Sequence, residues 1–294
     1  MQVRQPRERI MENLKAADAV IKEFEKKIAD PIQYGQLKGK KLFVGVDLGT
    51  AYIVLAIVDE EGNPVAGAMR FAQVVKDGLV VDYIGAIDIV KTLKKEIEGK
   101  IGVELEFAGV AYPPGTSKND RKAIINVAEA AGLKVLLEID EPTAANKVLS
   151  ITGGAVVDIG GGTTGIAIFQ NGQVVYVADE PTGGTHFSLV ISGAYKIPFE
   201  EAEEKKKNPQ NHQEVLPIVI PVIQKVASII KKHIKVYDVA KVFLVGGTCC
   251  LQNFEKIMEE ELNIPVIKPA NPFLVTPLGI AISTKETHRE RVKR

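Results

Sequence analysis

Two stretches of the 294-residue sequence set a carboxylate, glycine and a hydroxyl in immediate succession: Gly45-Val46-Asp47-Leu48-Gly49-Thr50 and Val157-Asp158-Ile159-Gly160-Gly161-Gly162-Thr163-Thr164. In each, an apolar run ends at the Asp and a second β-rich run follows the glycines, so the stretch reads as a tight hairpin. Glycine lacks a Cβ, and an anion can therefore reach the backbone N–H groups of such a turn. Thr50, Thr163 and Thr164 add hydroxyl donors. Asp47 and Asp158 add one carboxylate each, which suits Mg²⁺, a hard ion that keeps several waters and takes one or two protein carboxylates. The chemistry implied is a polyphosphate clamped between two bends, its metal held mainly through water. Asp-x-Gly is also ordinary turn chemistry; the second copy, in register and with three consecutive glycines, is what favours function. Gly246-Gly247-Thr248 follows the apolar run 242–245 and precedes a helix, placing it at the carboxyl end of a strand. Open α/β sheets bind ligands there, and adenine with its ribose could lie against that backbone. Neither a P-loop nor a Gly-x-Gly-x-x-Gly after the first strand is present.

The elements that must carry these turns follow from periodicity. Ile10, Leu14, Ala17, Ile21, Phe24 and Ile28 predict an amphipathic helix over 9–29, docked by its apolar stripe or else forming a short coiled coil or targeting helix. Pro31, Gly35 and Gly39 end it. Runs at 42–46, 52–58 and 65–74 read as antiparallel strands. Helices are expected at 84–97 and 117–131, the latter opened by Ser117, with strands at 107–112 and 134–139. The pattern restarts with strands at 155–160, 163–169 and 174–177, helices at 198–207 and 219–234, a strand at 241–245 and a helix from Asn253. Runs at 264–267 and 277–283 close it. This is a duplicated α/β organisation: an N-terminal helix and linker (1–40), domain I (41–153), domain II (154–283) and a charged, frayed tail (284–294).

Composition excludes several classes. An apolar share of 46% and a charged share of 25% are those of a globular chain. Thirty-seven basic against 37 acidic residues leave no net field to draw nucleic acid or an anionic membrane. The longest apolar stretch, 215–223, is broken by Pro217 and Pro221 and falls short of the ~20 residues of a membrane span. No secretory signal opens the chain, and Cys249 and Cys250, adjacent, read as packing residues. A cytoplasmic location follows. His186, His212, His233 and His288 show no ligand spacing, so zinc is not expected.

In this order the motifs resemble those of the actin, Hsp70 and sugar-kinase superfamily over roughly 42–283. The two Asp-Gly-Thr bends resemble its phosphate motifs and 242–248 its adenosine motif. Val110-Ala111-Tyr112-Pro113, and the segment from Arg121 to Glu141-Pro142-Thr143-Ala144-Ala145, are similar to the Hsp70 connecting segments. Ile53-Val54-Leu55-Ala56 and Gly183-Gly184-Thr185-His186-Phe187 resemble the compact Hsp70-like family of ethanolamine utilization in bacterial microcompartments. The resemblance implies an actin-like ATPase (ribonuclease H-like) fold, two duplicated α/β domains around a nucleotide cleft with reduced outer subdomains. It implies ATP or ADP with Mg²⁺, the metal near Asp47 and Asp158. The nucleotide would touch Gly49, Thr50, Ala51, Gly160, Gly161, Gly162, Thr163, Gly183, Gly184, Gly246, Gly247 and Thr248. Glu141, Asp158 and Asp47 would be the catalytic carboxylates, and Pro142 a switch between the domains. Ala202-Glu203-Glu204-Lys205-Lys206 resembles the nucleoside-contacting helix of actin-like proteins, which implies Glu203 and Lys206; the other reading is a solvated helix held by pairs such as Glu201 with Lys205. Two departures stand out. Gly165 replaces an Asp of Hsp70 proteins, and the outer subdomain that carries their catalytic Lys is cut to 76–102, with no equivalent Lys placed. The peptide-binding β-sandwich of Hsp70 chaperones has no counterpart, so a chaperone-like role rests on analogy. The expected function is a slow ATPase whose partners are ethanolamine-utilization enzymes or microcompartment shell proteins. The rivals are a non-hydrolysing adaptor and, further off, a small-molecule kinase.

Overall fold

The structure is a computed structural model that describes residues 6–293. The first half contains helices α1 (Pro6–Ala29) and α2 (Tyr34–Leu37), strands β1 (Phe43–Leu48), β2 (Tyr52–Val58) and β3 (Pro64–Phe71), and a small hairpin of β4 (Val75–Lys76) and β5 (Leu79–Val80). It continues through α3 (Tyr83–Ile101), β6 (Phe107–Tyr112), α4 (Lys118–Ala130), β7 (Lys134–Asp140) and α5 (Glu141–Leu149). The second half repeats the plan: β8 (Gly154–Ile159), β9 (Thr164–Gln170), β10 (Gln173–Glu180), then α6 (Gly184–Tyr195), α7 (Phe199–Lys207) and α8 (His212–Ile234). Next come β11 (Val242–Val245), α9 (Phe254–Leu262), β12 (Val266–Ile267) and α10 (Val275–Lys293).

Each half builds a five-stranded sheet of the same topology, β3-β2-β1-β6-β7 and β10-β9-β8-β11-β12. The first three strands of each sheet are antiparallel, and β1–β6 and β8–β11 pair in parallel. Central strands such as β8 are buried along their whole length because both sheet faces are covered. On the first sheet, Val44, Val46 and Leu48 face α3 and α4; on the second, Ala155, Val157 and Ile159 face α6, α8 and α9. The inner faces share one core, in which Phe43, Ala56 and Val58 meet Val156, Ala167 and Phe169 across α5 and α10. These two helices cross so closely that a Cβ on Gly279 would collide with the Ala144 carbonyl. The layers therefore run helix, sheet, helix, sheet, helix.

Local signals explain most boundaries. Ser117 caps α4 by accepting the Asp120 N–H, and Asp82 caps α3, each worth about 1 kcal/mol. The stripe Ala17, Ile21 and Phe24 of α1 is buried in the shared core, while Asp18 and Glu25 accept from Ala270 N and Asn271 Nδ2.

Two expectations are corrected. α8 begins at His212 and runs through Pro217 and Pro221, where the sequence suggested a helix only from 219. An interior proline costs ~3 kcal/mol, but Val215, Val219, Val222, Ile223, Val226, Ile230 and Ile234 pack into the second core, at about 1.5–3 kcal/mol each. The segment Pro209–Ile234 is long and apolar enough to cross a membrane by length and composition; its apolar stripe faces that core. The expected frayed tail is also ordered as far as Lys293, since α10 continues through it. Arg291 donates to the Leu136 carbonyl, Lys147 pairs with Glu286, and His288 lies against Phe43 and Phe107.

Candidate functional site

The β1–β2 and β8–β9 bends open onto one cleft of about 660 Å³, walled by Asp47, Gly49, Thr50 and Ala51 from one side and Asp158, Gly160, Gly161, Gly162 and Thr163 from the other. They face each other closely: a Cβ on Gly161 would stand 3.3 Å from Ala51 N, and one on Gly162 2.8 Å from Thr50 Oγ1. A side chain at Gly162 would press on the Thr50 hydroxyl, so glycine there keeps the two bends close.

Four acids gather at this end. Glu141 opens α5, whose cap Asp140 accepts from Thr143 N at 3.0 Å. Burial first, then Asp158 and Asp47, push the Glu141 carboxyl well above its ordinary range. Burial and the neighbouring Asp158 raise Asp47 to about 7. Burial raises Asp158 to about 6, opposed by the Thr276 hydroxyl, which donates to its Oδ2 at 2.5 Å. Asp179 on β10, raised to about 7 by burial and eased by Thr163, is the fourth. No lysine or arginine is among the groups that shift any of the four. A deficit of positive charge at buried acids fits a cation. Among the described residues, no three His, Cys, Asp or Glu side chains are arranged as a ligand set; the acids fit an ion held mostly by water and phosphate.

The opposite end of the cleft is lined by Phe199, Glu203, Lys206, His212, Gly246, Gly247, Thr248 and Phe273. The solvated reading of the 202–206 helix is corrected here. Glu203 is 7% exposed; its Oε2 accepts from Ser188 Oγ at 2.5 Å and from Lys206 Nζ at 2.7 Å, and Lys206 also donates to the Gly184 carbonyl at 2.9 Å. Burial lowers the Lys206 ammonium. Lys205 pairs with Glu214. His212 Nδ1 accepts from Gln252 N, which leaves the ring proton on Nε2 to donate to the Lys206 carbonyl at 3.0 Å.

Gly183 and Gly184 are not part of the cleft wall. Gly184 N and Thr185 N, at the start of α6, donate to the Gly160 and Gly161 carbonyls at 2.9 and 2.8 Å, so they brace the second bend from behind. Thr248 Oγ1 braces it too, donating to the Gly160 carbonyl at 2.7 Å. Cys249 is buried as expected of a packing residue, whereas Cys250 reaches the cleft.

Sequence reasoning missed Lys76, which lines the cleft from the β4–β5 hairpin, and Asp179, because β10 was ended at Val177. It missed Thr276 for want of any motif. Lys207 was also missed: it donates to Tyr52 Oη at 3.3 Å and sits over the Phe71 ring at 4.6 Å, spanning the cleft mouth.

Two sheets of one topology, joined by crossing helices and closing on a single cleft, define an actin-like ATPase fold. MreB5 of Spiroplasma citri shares it, with a TM-score of 0.69 at 18% identity over 86% of this chain and 99% of that one. The chain belongs to the ethanolamine utilization protein EutJ family. EutJ of Salmonella typhimurium is 43% identical over 243 residues, 82% of this chain and 85% of the relative. The crystal structure of EutJ from Carboxydothermus hydrogenoformans matches with a TM-score of 0.84 and 49% identity, covering 93% of this chain and 98% of that one. The family model described as type IV pilus assembly protein PilM matches residues 119–293.

Proposed function

We propose that the protein binds Mg·ATP in the cleft, hydrolyses it slowly, and uses the nucleotide state to alter the angle between its halves. The observation that carries this is the meeting of the two glycine-rich bends, whose backbone N–H groups and threonine hydroxyls would hold the phosphates from both sides. The fold neighbour MreB5 has been crystallised with ADP and with AMPPNP. Asp47 and Asp158 would hold Mg²⁺ through water, and the ion would neutralise the charge on the phosphates. Glu141 and Asp158 would orient the attacking water. Glu203, Lys206 and the 246–248 backbone would border the nucleoside, and Pro142, first-turn neighbour of Glu141 in α5, would transmit the change. The output would be a surface presented, in a chaperone-like role, to ethanolamine-utilization enzymes or microcompartment shell proteins in the cytoplasm.

Gly165, which leaves the β9 position beside Asp158 without a polar group, favours a second reading, a nucleotide-dependent adaptor that does not hydrolyse. A PilM–PilN complex has the same general fold at 13% identity and a TM-score of 0.67. Calorimetric titration with Mg·ATP followed by single-turnover phosphate release decides between them. Binding with release that Asp158→Asn slows by about 10²–10³-fold is the expected result. Binding without release leaves the adaptor, and no binding defeats both readings.

A further inference from the structure

Helix α10 carries three buried hydroxyl side chains, Thr276, Ser283 and Thr284. Two of them bond back along their own helix, as hydroxyls in helices commonly do. Ser283 donates to the Gly279 carbonyl and Thr284 to the Ile280 carbonyl, both at 2.8 Å. Thr276, in the first turn, is the exception. It is 4% exposed, and its hydroxyl leaves the helix to meet Asp158 Oδ2 on the second sheet.

Both ends of this bond are held in place. On the donor side the next residue is Pro277, whose ring restricts the backbone, and whose carbonyl presses so closely on β1 that a Cβ on Gly45 would collide with it. On the acceptor side Gly246 has a φ of +91°, and a Cβ there would strike both Asp158 Oδ1 and the Ile159 carbonyl. The carboxylate is therefore fixed between the Gly246 backbone and the Thr276 hydroxyl. Asp158 and Thr276 both line the cleft. An ionised carboxylate has about four acceptor sites, and Thr276 takes one of them. Asp47, the matching acid of the first half, has no such anchor: among the described residues no hydrogen-bond donor acts on it.

We propose that Thr276 is a positioning residue for ATP hydrolysis, its hydroxyl setting the Asp158 carboxylate so that the acceptor sites left free face the attacking water. The inference rests on the hydrolysis reading above and on the water-orienting role given there to Asp158. In the step, the water oxygen forms a bond to the γ-phosphorus as the bond to the bridging oxygen of the leaving diphosphate breaks. One water proton passes to the carboxylate and then to solvent, giving ADP and inorganic phosphate. Thr276 acts only through the carboxylate, by keeping it from turning about its Cβ–Cγ bond.

The test compares the full-length wild type with Thr276→Val, which keeps the branched shape and removes the hydroxyl, and with Thr276→Ser, which keeps the hydroxyl. Mg·ATP affinity is measured by calorimetry and phosphate release in a single turnover. Thr276→Val should slow release about 10–100-fold, the usual effect of losing a group that orients a functional side chain, with affinity held within about threefold. Thr276→Ser should bring release back to within about threefold of wild type. In an Asp158→Asn background, where the carboxylate is already gone, Thr276→Val should alter release less than about twofold. Should the Val variant misfold, Thr276→Ala takes its place with the same expectations. Release by Thr276→Val at the wild-type rate, Thr276→Ser as slow as Thr276→Val, or full slowing in the Asp158→Asn background overturns the role of Thr276 while leaving hydrolysis intact. Affinity lost in proportion to rate overturns it too, since the bond is then only structural. A wild type that binds without release overturns Thr276 together with the hydrolysis reading.

Discussion

The halves of this protein share strand order, hairpin and acid, yet differ in what surrounds the acid. Asp47 stands in a row with Val54 and Met69, and the first half adds Lys76 from a two-strand hairpin reaching the cleft. Asp158 stands in a row with Gly165 and Asp179 and is bonded by Thr276. Topology was duplicated, and chemistry was not. The surroundings of the two acids therefore differ, Lys76 reaching the cleft from one side and the Thr276 hydroxyl holding the acid on the other.

The comparison can be broken most forcefully at the layer both halves share. Gly279→Val drives a side chain into the Ala144 carbonyl and should destabilise the protein by ~4 kcal/mol or more, lowering Tm by roughly 10 °C. Gly193→Ala on α6, with nothing within 4 Å of its Cβ, should change stability by less than ~1 kcal/mol. Equal effects in calorimetry would refute the role given to the crossing. Next in size, Asp158→Asn should slow single-turnover phosphate release by about 10²–10³-fold, whereas Asp47→Asn should chiefly weaken Mg²⁺-dependent ATP binding, by about tenfold. Identical phenotypes would erase the distinction between the halves.

The acids also make a pH prediction. The Asp158 carboxyl titrates at about 6 in the folded chain and near 3.9 when unfolded. The folded state holds a proton that the unfolded state has lost. The stability this gives is complete below about 3.9 and is lost as pH rises through about 6, ~2–3 kcal/mol in all. Asp47 adds the same trend up to about 7. Melting of metal-free protein should therefore show Tm falling from pH 5 to 7.5, with a shallower slope in Asp158→Asn; a rising Tm would contradict it. The smallest effect is expected at the cleft mouth. Lys207→Ala removes the cation over Phe71 and the bond to Tyr52, ~0.5–1 kcal/mol of closure, and should speed dissociation of a fluorescent ATP analogue about two- to fivefold. An unchanged off-rate would mean that the mouth does not control exit.

Much of this was legible in the sequence. The repeated Asp-Gly-Thr bends gave the two-sheet plan, because an apolar strand ending in Asp and glycine is a local signal that survives without context. Ser117 marked the start of α4 for the same reason. Asp179 was hidden because it joins the other acids only by pairing with Gly165, a contact between strands that no local pattern records, and because β10 loses its apolar character after Val177. The start of α8 was obscured by Pro217 and Pro221, whose local penalty is outweighed by burial along the rest of the helix. For Glu203 and Lys206 the sequence left two readings open, a nucleoside-contacting helix by resemblance and a solvated run; only the packing of α6 against α7 places Ser188 and the Gly184 carbonyl where they hold both charges out of water.

The exchange of α5 and α10 carries a consequence for how the chain assembles. Each half leaves its final helix against its neighbour's sheet, so a fragment cut near residue 150 would expose an apolar face that nothing else in the fragment can cover. The protein should melt in a single cooperative step, and its two lobes can swing only by bending or sliding the crossed pair, never by parting.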